Sequence, residues 1–203
     1  VYANNISYAA RLIHRYGLKL DYLDVGGGFF GIFAGKPTYV DYASKICESM
    51  SCNGLTDLKL YVEPGNAILA SSISFLTSVI DMKKTSDYWI ATIDGSRNDV
   101  DPLFHKKDYI KEIIYGGGER KTALKQLVGG CTCMEADRLF LLENSPCLAA
   151  GDKILFRNVG AYTMTLSPQF IRFWPRIYAY RDHRYELIRE ASTPEYIMDS
   201  CKL

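Results

Sequence analysis

Four short segments of this 203-residue chain hold the residue types that bind anions, hold protons and protonate carbon. The first is Gly26-Gly27-Gly28. Consecutive glycines after an apolar run leave backbone N–H groups open to an anion, with no Cβ in the way. The same run would also serve as a plain strand-to-helix connection. No Gly-Lys-Ser/Thr follows it, which excludes a Walker loop, and it lacks the GxGxxG spacing of a dinucleotide fingerprint. The second is Glu63-Pro64-Gly65, an acid placed where an apolar strand ends; in α/β barrels ligand chemistry gathers at that end of the strands. By itself Glu63 reads better as a solvated turn acid. The third, Cys131-Thr132-Cys133-Met134-Glu135-Ala136-Asp137, brings two thiols and two acids together, or is a pair of buried thiols beside a charged turn. The fourth is Gly151-Asp152 with Asn158-Val159-Gly160-Ala161-Tyr162-Thr163, a turn and strand leading into a small-residue loop that ends in a tyrosine.

The elements around these segments follow an ordered rhythm. Ile6, Ala9, Ala10, Ile13 and Tyr16 recur at helical spacing, and Gly17 fits a helix C-cap. An apolar strand over 20–25 runs into the glycines, a helix is expected over 39–51, and a second strand over 58–62 runs into Glu63. Helix, strand, glycine loop, helix, strand, polar loop is the order of a parallel α/β layer. After about residue 72 the chain becomes short, β-rich runs over 74–82, 88–93, 123–129, 153–158 and 176–181, separated by turn residues. This predicts a second, mostly antiparallel β domain, so that 1–72 form one domain and 73–203 the other.

Composition narrows the function classes. Hydrophobic residues make up 48% and the formal charge is +1, as in an ordinary globular protein. No basic excess points to nucleic acid or a membrane surface, and no apolar run approaches the roughly 18–20 residues that span a bilayer. Cys47, Cys52, Cys131, Cys133, Cys147 and Cys201 form no CxxC, and His14, His105 and His183 supply no ligand pattern, so no metal site is expected. A chain this long needs no disulfide staples, and reduced thiols in the cytoplasm are the expectation. The start, Val1-Tyr2-Ala3-Asn4-Asn5, lacks the pattern of a signal peptide; without an initiator Met it reads as part of a longer chain.

Taken together and in order, the four segments resemble those of the fold-type III pyridoxal-phosphate-dependent amino-acid decarboxylases, the ornithine/diaminopimelate decarboxylase family. Leu23-Asp24-Val25-Gly26-Gly27-Gly28-Phe29 is similar to the family's LDxGGGF, and Val62-Glu63-Pro64-Gly65 to its VEPGR. Gly130 through Asp137 resembles GPTCxxxD, and Gly151-Asp152 with Gly160-Ala161-Tyr162 resembles GD…GAY. The resemblance implies a fold: the C-terminal remnant of a (β/α)8 alanine-racemase-like barrel followed by a mostly antiparallel β domain. It also implies roles. Gly26, Gly27 and Gly28 would cradle the phosphate of pyridoxal 5'-phosphate, aided by Gly65, Asn66 and the Tyr162 hydroxyl. Glu63 would pair with the pyridine nitrogen, and Cys133, with Asp137 nearby, would return a proton to the substrate carbon from the opposite subunit. An amino-acid substrate and a homodimer with shared active sites follow from the same resemblance.

Three departures from the family's pattern bear on function. The Schiff-base lysine, which the family carries near the start of the barrel, has no counterpart in context here, so this stretch alone is expected to be inactive. Asn66 stands where the family has Arg, and can donate hydrogen bonds but no charge. Met134 replaces the acid that meets the substrate's distal amine in the basic amino-acid decarboxylases. Asp94-Gly95-Ser96-Arg97-Asn98 resembles a DxGxN stretch, yet Asp101-Pro102-Leu103-Phe104-His105 departs from Arg-Pro-x-x-Tyr. Asp101 and His105 are thus candidates to read a substrate tail, or else lie in a solvated loop. A divergent substrate is the expectation; a non-catalytic relative acting as a binding or regulatory protein is the second reading.

Overall fold

The computed structural model describes residues 1–31, 33 and 35–201. The chain divides into two units: Val1–Phe75 with Phe156–Ala161, and Leu76–Leu155 with Tyr162–Leu203.

The first unit opens with helix α1 (Tyr2–Tyr16), closed by Gly17 at φ 59°. That left-handed conformation is one that glycine adopts without a Cβ penalty. Strand β1 (Tyr22–Asp24) pairs in parallel with β2 (Lys59–Tyr61), and helix α2 (Tyr39–Cys52) makes the crossover between them. Thr38 caps α2 reciprocally: its hydroxyl accepts from the Asp41 N–H while Asp41 accepts from the Thr38 N–H. Ile6 and Ala10 of α1 and Ile46 and Met50 of α2 bury their apolar stripes with Phe29, Leu55 and Ala67. Tyr2 stacks on Phe29 with ring centroids 4.9 Å apart. A short helix α3 (Gly65–Leu69) and a 3₁₀ turn (Ala70–Ser72) follow β2.

The second unit is built on a six-stranded sheet. Its strands are β3 (Phe75–Lys84), β4 (Trp89–Ile93), β5 (Lys111–Ile114), β6 (Thr122–Gly129), β7 (Arg138–Pro146) and β8 (Lys153–Phe156), in the order β5-β8-β3-β4-β6-β7. Pairs β3–β4 and β6–β7 are antiparallel, whereas β4–β6 is parallel. The sheet is therefore mixed, because the segment between β4 and β6 returns the chain to the same end before it pairs. Val79, Ala91, Ile93, Val128, Ile154 and Phe156 are buried on it. Gln126 is also fully buried, and its amide is satisfied by Ser145, the Pro146 carbonyl and the Leu148 N–H. The turn helix α4 (Thr163–Leu166), the antiparallel hairpin β9 (Ile177–Arg181)–β10 (Arg184–Arg189) and helix α5 (Pro194–Ser200) complete it.

Candidate functional site

In the first unit the glycine loop meets the Glu63 segment, and residues 158–161 of the fourth segment lie in the same unit. The glycine loop leaves β1 with Gly26 at φ 71° and Gly28 at φ 85°. The Val25 N–H donates to Tyr61 O and the Glu63 N–H to Gly26 O, so the ends of both parallel strands are tied. The approach is close: a Cβ on Gly27 would lie 2.6 Å from the Glu63 carbonyl oxygen. Tyr2 secures the loop from the helix side by donating its hydroxyl to Gly27 O at 2.6 Å. The N–H groups of Gly27 and Gly28 make no hydrogen bond to any described residue. They are unengaged donors on a loop whose Gly26 and Gly27 carbonyls are already committed.

Beyond Glu63, the chain turns into α3, whose Ala67 carbonyl accepts from the Tyr39 hydroxyl. A Cβ on Gly31 would meet that carbonyl at 2.7 Å. The fourth segment arrives beside the 3₁₀ turn: Gly160 donates to Ala70 O at 3.0 Å, Val159 to Ile73 O at 3.1 Å, and a Cβ on Gly160 would collide with the Leu69 carbonyl. Gly31, Gly160, Tyr2 and Tyr39 thus belong to the scaffold of this loop cluster. Sequence reasoning passed over Gly31, Tyr2 and Tyr39, since contacts between distant segments leave no local spacing to read. Glu63, Gly65 and Asn66 are exposed.

Tyr162 follows Ala161 into the second unit with φ 69°, a left-handed conformation uncommon for a bulky residue, and is half exposed. Its carbonyl accepts from Leu166, so the strained residue starts a tight helical turn.

The cysteine segment lies in the second unit. Asp137 is buried, and its carboxylate accepts from the Arg97 N–H at 2.7 Å, the Thr132 N–H at 3.1 Å and the Thr132 hydroxyl at 2.6 Å. Its main chain closes the same loop, accepting from Gly130 N and donating to Met134 O. Gly130 has no room for a side chain, because any Cβ there would strike the Asp137 carboxylate. The Cys131 N–H donates to Gly95 O. Cys131 is half-buried, and burial raises its thiol pKa, with Arg172 opposing and Asp137 and Asp99 reinforcing the shift. Cys133 at the loop's crest is exposed, with Met134 partly covered beside it. The loop therefore holds one thiol neutral and presents the other.

Asp101, expected from sequence as a reader of a substrate tail, is committed within the chain. Its oxygens accept from Arg97 Nε at 3.2 Å, Arg97 Nη2 at 3.0 Å, and the N–H groups of His105 and Lys106. Tyr109 also approaches it at 3.4 Å, and burial, ahead of the Asp101 charge, pushes that phenol up to about 12. His105 itself is exposed. Asp152 of the Gly-Asp pair is likewise structural: fully buried, it accepts from Gly116 N, Ala149 N and both Nη atoms of Arg120.

Comparison with known proteins agrees with this geometry. The model of the pyridoxal-dependent decarboxylase, pyridoxal binding domain, matches residues 2–70, which contain the glycine loop and Glu63. The diaminopimelate decarboxylase of Helicobacter pylori strain J99 is 30% identical over 199 residues, covering 95% of this chain and 48% of its own. Over most of its length the chain is thus similar to fold-type III pyridoxal-dependent decarboxylases, and its first 70 residues carry the match to the family's cofactor-binding domain. Among solved structures, the Helicobacter pylori diaminopimelate decarboxylase complexed with L-lysine matches this chain with a TM-score of 0.74 at 27% identity, covering 98% of it and 49% of that chain. The partial alanine-racemase-like fold expected from the motifs is thereby established. Antizyme inhibitor 2 of Xenopus laevis, whose name describes an inhibitor and not an enzyme, is 28% identical over 193 residues, covering 81% of this chain and 40% of its own. The chain spans about half the length of the curated relatives it matches.

The family's cofactor is pyridoxal phosphate, and the first unit fits it. Gly26 and Gly28 take left-handed conformations, Gly27 abuts the Glu63 carbonyl, and the unengaged Gly27 and Gly28 N–H groups are donors of the kind a phosphate requires. Among the described residues no helix is long and apolar enough to cross a membrane.

Proposed function

We propose that this chain is the part of a pyridoxal-phosphate-dependent amino-acid decarboxylase that carries the phosphate cradle, the pyridine partner and the donor cysteine. The observation that carries it is the junction of the glycine loop with Glu63, where a Cβ at Gly27 would sit 2.6 Å from the Glu63 carbonyl oxygen. That approach brings the free glycine amides and the Glu63 carboxylate to the ends of neighbouring strands. When bound, pyridoxal phosphate supplies an electron-poor ring that receives the electron pair freed by loss of the substrate's carboxylate.

The protein's own residues do the rest. The Gly27 and Gly28 amides, with Gly65 and Asn66, bind phosphate oxygens; the Gly26 N–H, which the sequence also offered, is taken by the Asp24 carboxylate at 2.8 Å. Asn66 contributes hydrogen bonds but no charge, so affinity for the phosphate rests on backbone donors. Glu63 keeps a proton on the pyridine nitrogen. Cys133 hands its Sγ proton to the substrate carbon after carbon dioxide leaves, and Asp137 holds the loop that presents that thiol. The cofactor-linking lysine is assigned to a region outside this chain, which is therefore inactive alone. Met134 and the commitment of Asp101 to Arg97 favour a substrate other than plain ornithine or diaminopimelate, with His105 and Met134 toward its tail. We further assign 1–72 to the end of the cofactor barrel and 73–203 to the C-terminal β domain, in a cytoplasmic homodimer whose subunits share active sites.

The test is the full-length protein incubated with pyridoxal phosphate, reduced with borohydride and weighed intact, then assayed for carbon dioxide release across amino acids. A stoichiometric adduct with release supports the reading; an adduct-free mass and no release overturns it. The likeness to an antizyme inhibitor, together with Asn66 and Met134, favours as second reading a non-catalytic binding protein. That reading expects no release from any substrate.

A further inference from the structure

Two loops of the second unit converge on one residue. The first is the cysteine loop, which Asp137 closes and whose buried carboxylate is fixed by the Arg97 N–H at 2.7 Å. The second runs from Asp101 to Tyr109. Arg97 reaches it with its side chain: Nε and Nη2 hold Asp101, and Nη2 also donates to the Lys106 carbonyl at 3.0 Å. The guanidinium lies over the Phe104 ring, 4.8 Å from its centroid. Within that loop, Asp101 gathers the His105 and Lys106 N–H groups, and the Lys106 ammonium donates to Val100 O at 3.1 Å. The Arg97 and Asp101 side chains are 16% and 4% exposed, so water screens the pair little.

We propose that Arg97 is a positioning residue that locks the loop carrying Cys133 to the loop carrying His105, so the donor thiol and this exposed imidazole are held as one rigid set. Its backbone serves one loop and its side chain the other; neither loop can shift without moving residue 97 or breaking the pair with Asp101. The Arg97 guanidinium balances the buried Asp101 charge beside the His105 and Lys106 N–H groups, and removing it would leave that charge less compensated. The consequence for specificity is that Asp101 offers no charge to a substrate: the ionic contact is spent inside the protein, and His105 is what this loop presents. That consequence rests on the decarboxylase reading; the coupling of the loops does not.

The experiment is amide hydrogen exchange on the full-length protein, comparing wild type with Arg97→Met and Arg97→Lys, and peptide-resolved alkylation of Cys133. In Arg97→Met, exchange should accelerate about tenfold or more in both 101–109 and 130–137, with altered Cys133 alkylation; one decade corresponds to 1.4 kcal/mol of opening free energy. Arg97→Lys, which keeps one contact to Asp101, should fall between the two and remains informative if Arg97→Met does not fold. In the assay, kcat should drop because the thiol is misplaced, and KM should rise by a smaller factor because the loosened 101–109 loop still carries His105. Acceleration confined to 101–109 overturns the proposal. Coupled exchange in a protein that releases no carbon dioxide would sustain the positioning and instead refute the enzyme reading.

Discussion

Asp137 and Asp152 are both nearly inaccessible carboxylates, and each closes a loop by accepting from N–H donors. For Asp152, burial alone would raise the pKa. The Gly116 and Ala149 N–H groups and the Arg120 guanidinium outweigh it and hold the carboxyl below the usual range. A depressed folded value contributes stability that is complete above the unfolded value of about 3.9 and is lost as pH falls through the folded one. The acid limb of a stability–pH profile should therefore flatten in that window in Asp152→Asn. At neutral pH the same substitution leaves Arg120, whose side chain is 15% exposed, without its anion. Loss of about 3–5 kcal/mol is expected, read from the urea midpoint. Asp99 runs the other way: burial, ahead of the opposing Ser96 N–H and Arg172, raises its pKa. Its charge is a cost above that raised value, relieved as pH falls through it. Asp99→Asn should remove that gain on mild acidification, measured by thermal melting across the same pH series.

At the level of elements, the glycine loop is where sequence and geometry agree most closely. Gly27→Ala must push a Cβ against the Glu63 carbonyl, displacing either the loop or the strand end that carries Glu63. Cofactor affinity should fall at least about tenfold, or 1.4 kcal/mol, as followed by absorbance titration of the full-length protein with pyridoxal phosphate. The cap of α2 gives a milder contrast: Thr38→Ala should cost about 1 kcal/mol with no change in cofactor affinity, because it touches only the helix end. Strands β1 and β2 and helices α1 and α2 were legible because apolar period and punctuation coincide there, as in Gly17 after Tyr16. Strands β5, β7 and β10 were not expected. The stretch before β7, Met134-Glu135-Ala136-Asp137, carries helix-favouring residues, and only the buried Asp137 turns it into a loop. The β9–β10 hairpin turns at Asp182 and His183, with φ 48° and 61°. That geometry is usually announced by Asn-Gly or Asp-Gly, and here it is not. The pairing of Arg97 with Asp101 was likewise hidden: a spacing of four reads as a helix contact, whereas these residues lie in a turn and a loop.

At the scale of the molecule, the second unit leaves apolar surface that a monomer has no use for. Tyr178, Tyr180, Tyr185, Leu187 and Ile188 of the β9–β10 hairpin are exposed. Tyr178 and Tyr180 on β9 and nearly all of β10 are uncovered, and a two-stranded hairpin so exposed has little stability of its own. Aromatic residues in such a position are the kind that protein interfaces bury. The homodimer proposed above would bury such surface, and the proposed sharing of active sites makes a sharper test than mass alone. If Cys133 serves the partner's cofactor, a Cys133→Ala subunit still carries an intact cradle, while a Gly27→Ala subunit with weakened cofactor binding still carries an intact donor thiol. Mixed dimers of the two would contain one site built from both unaltered parts. Co-expressed with different affinity tags and isolated by sequential capture, they should release carbon dioxide at a rate that neither parental homodimer reaches. Activity no greater than the average of the parents would place Cys133 and the cradle of one active site on a single subunit, and the exposed hairpin would then need another explanation.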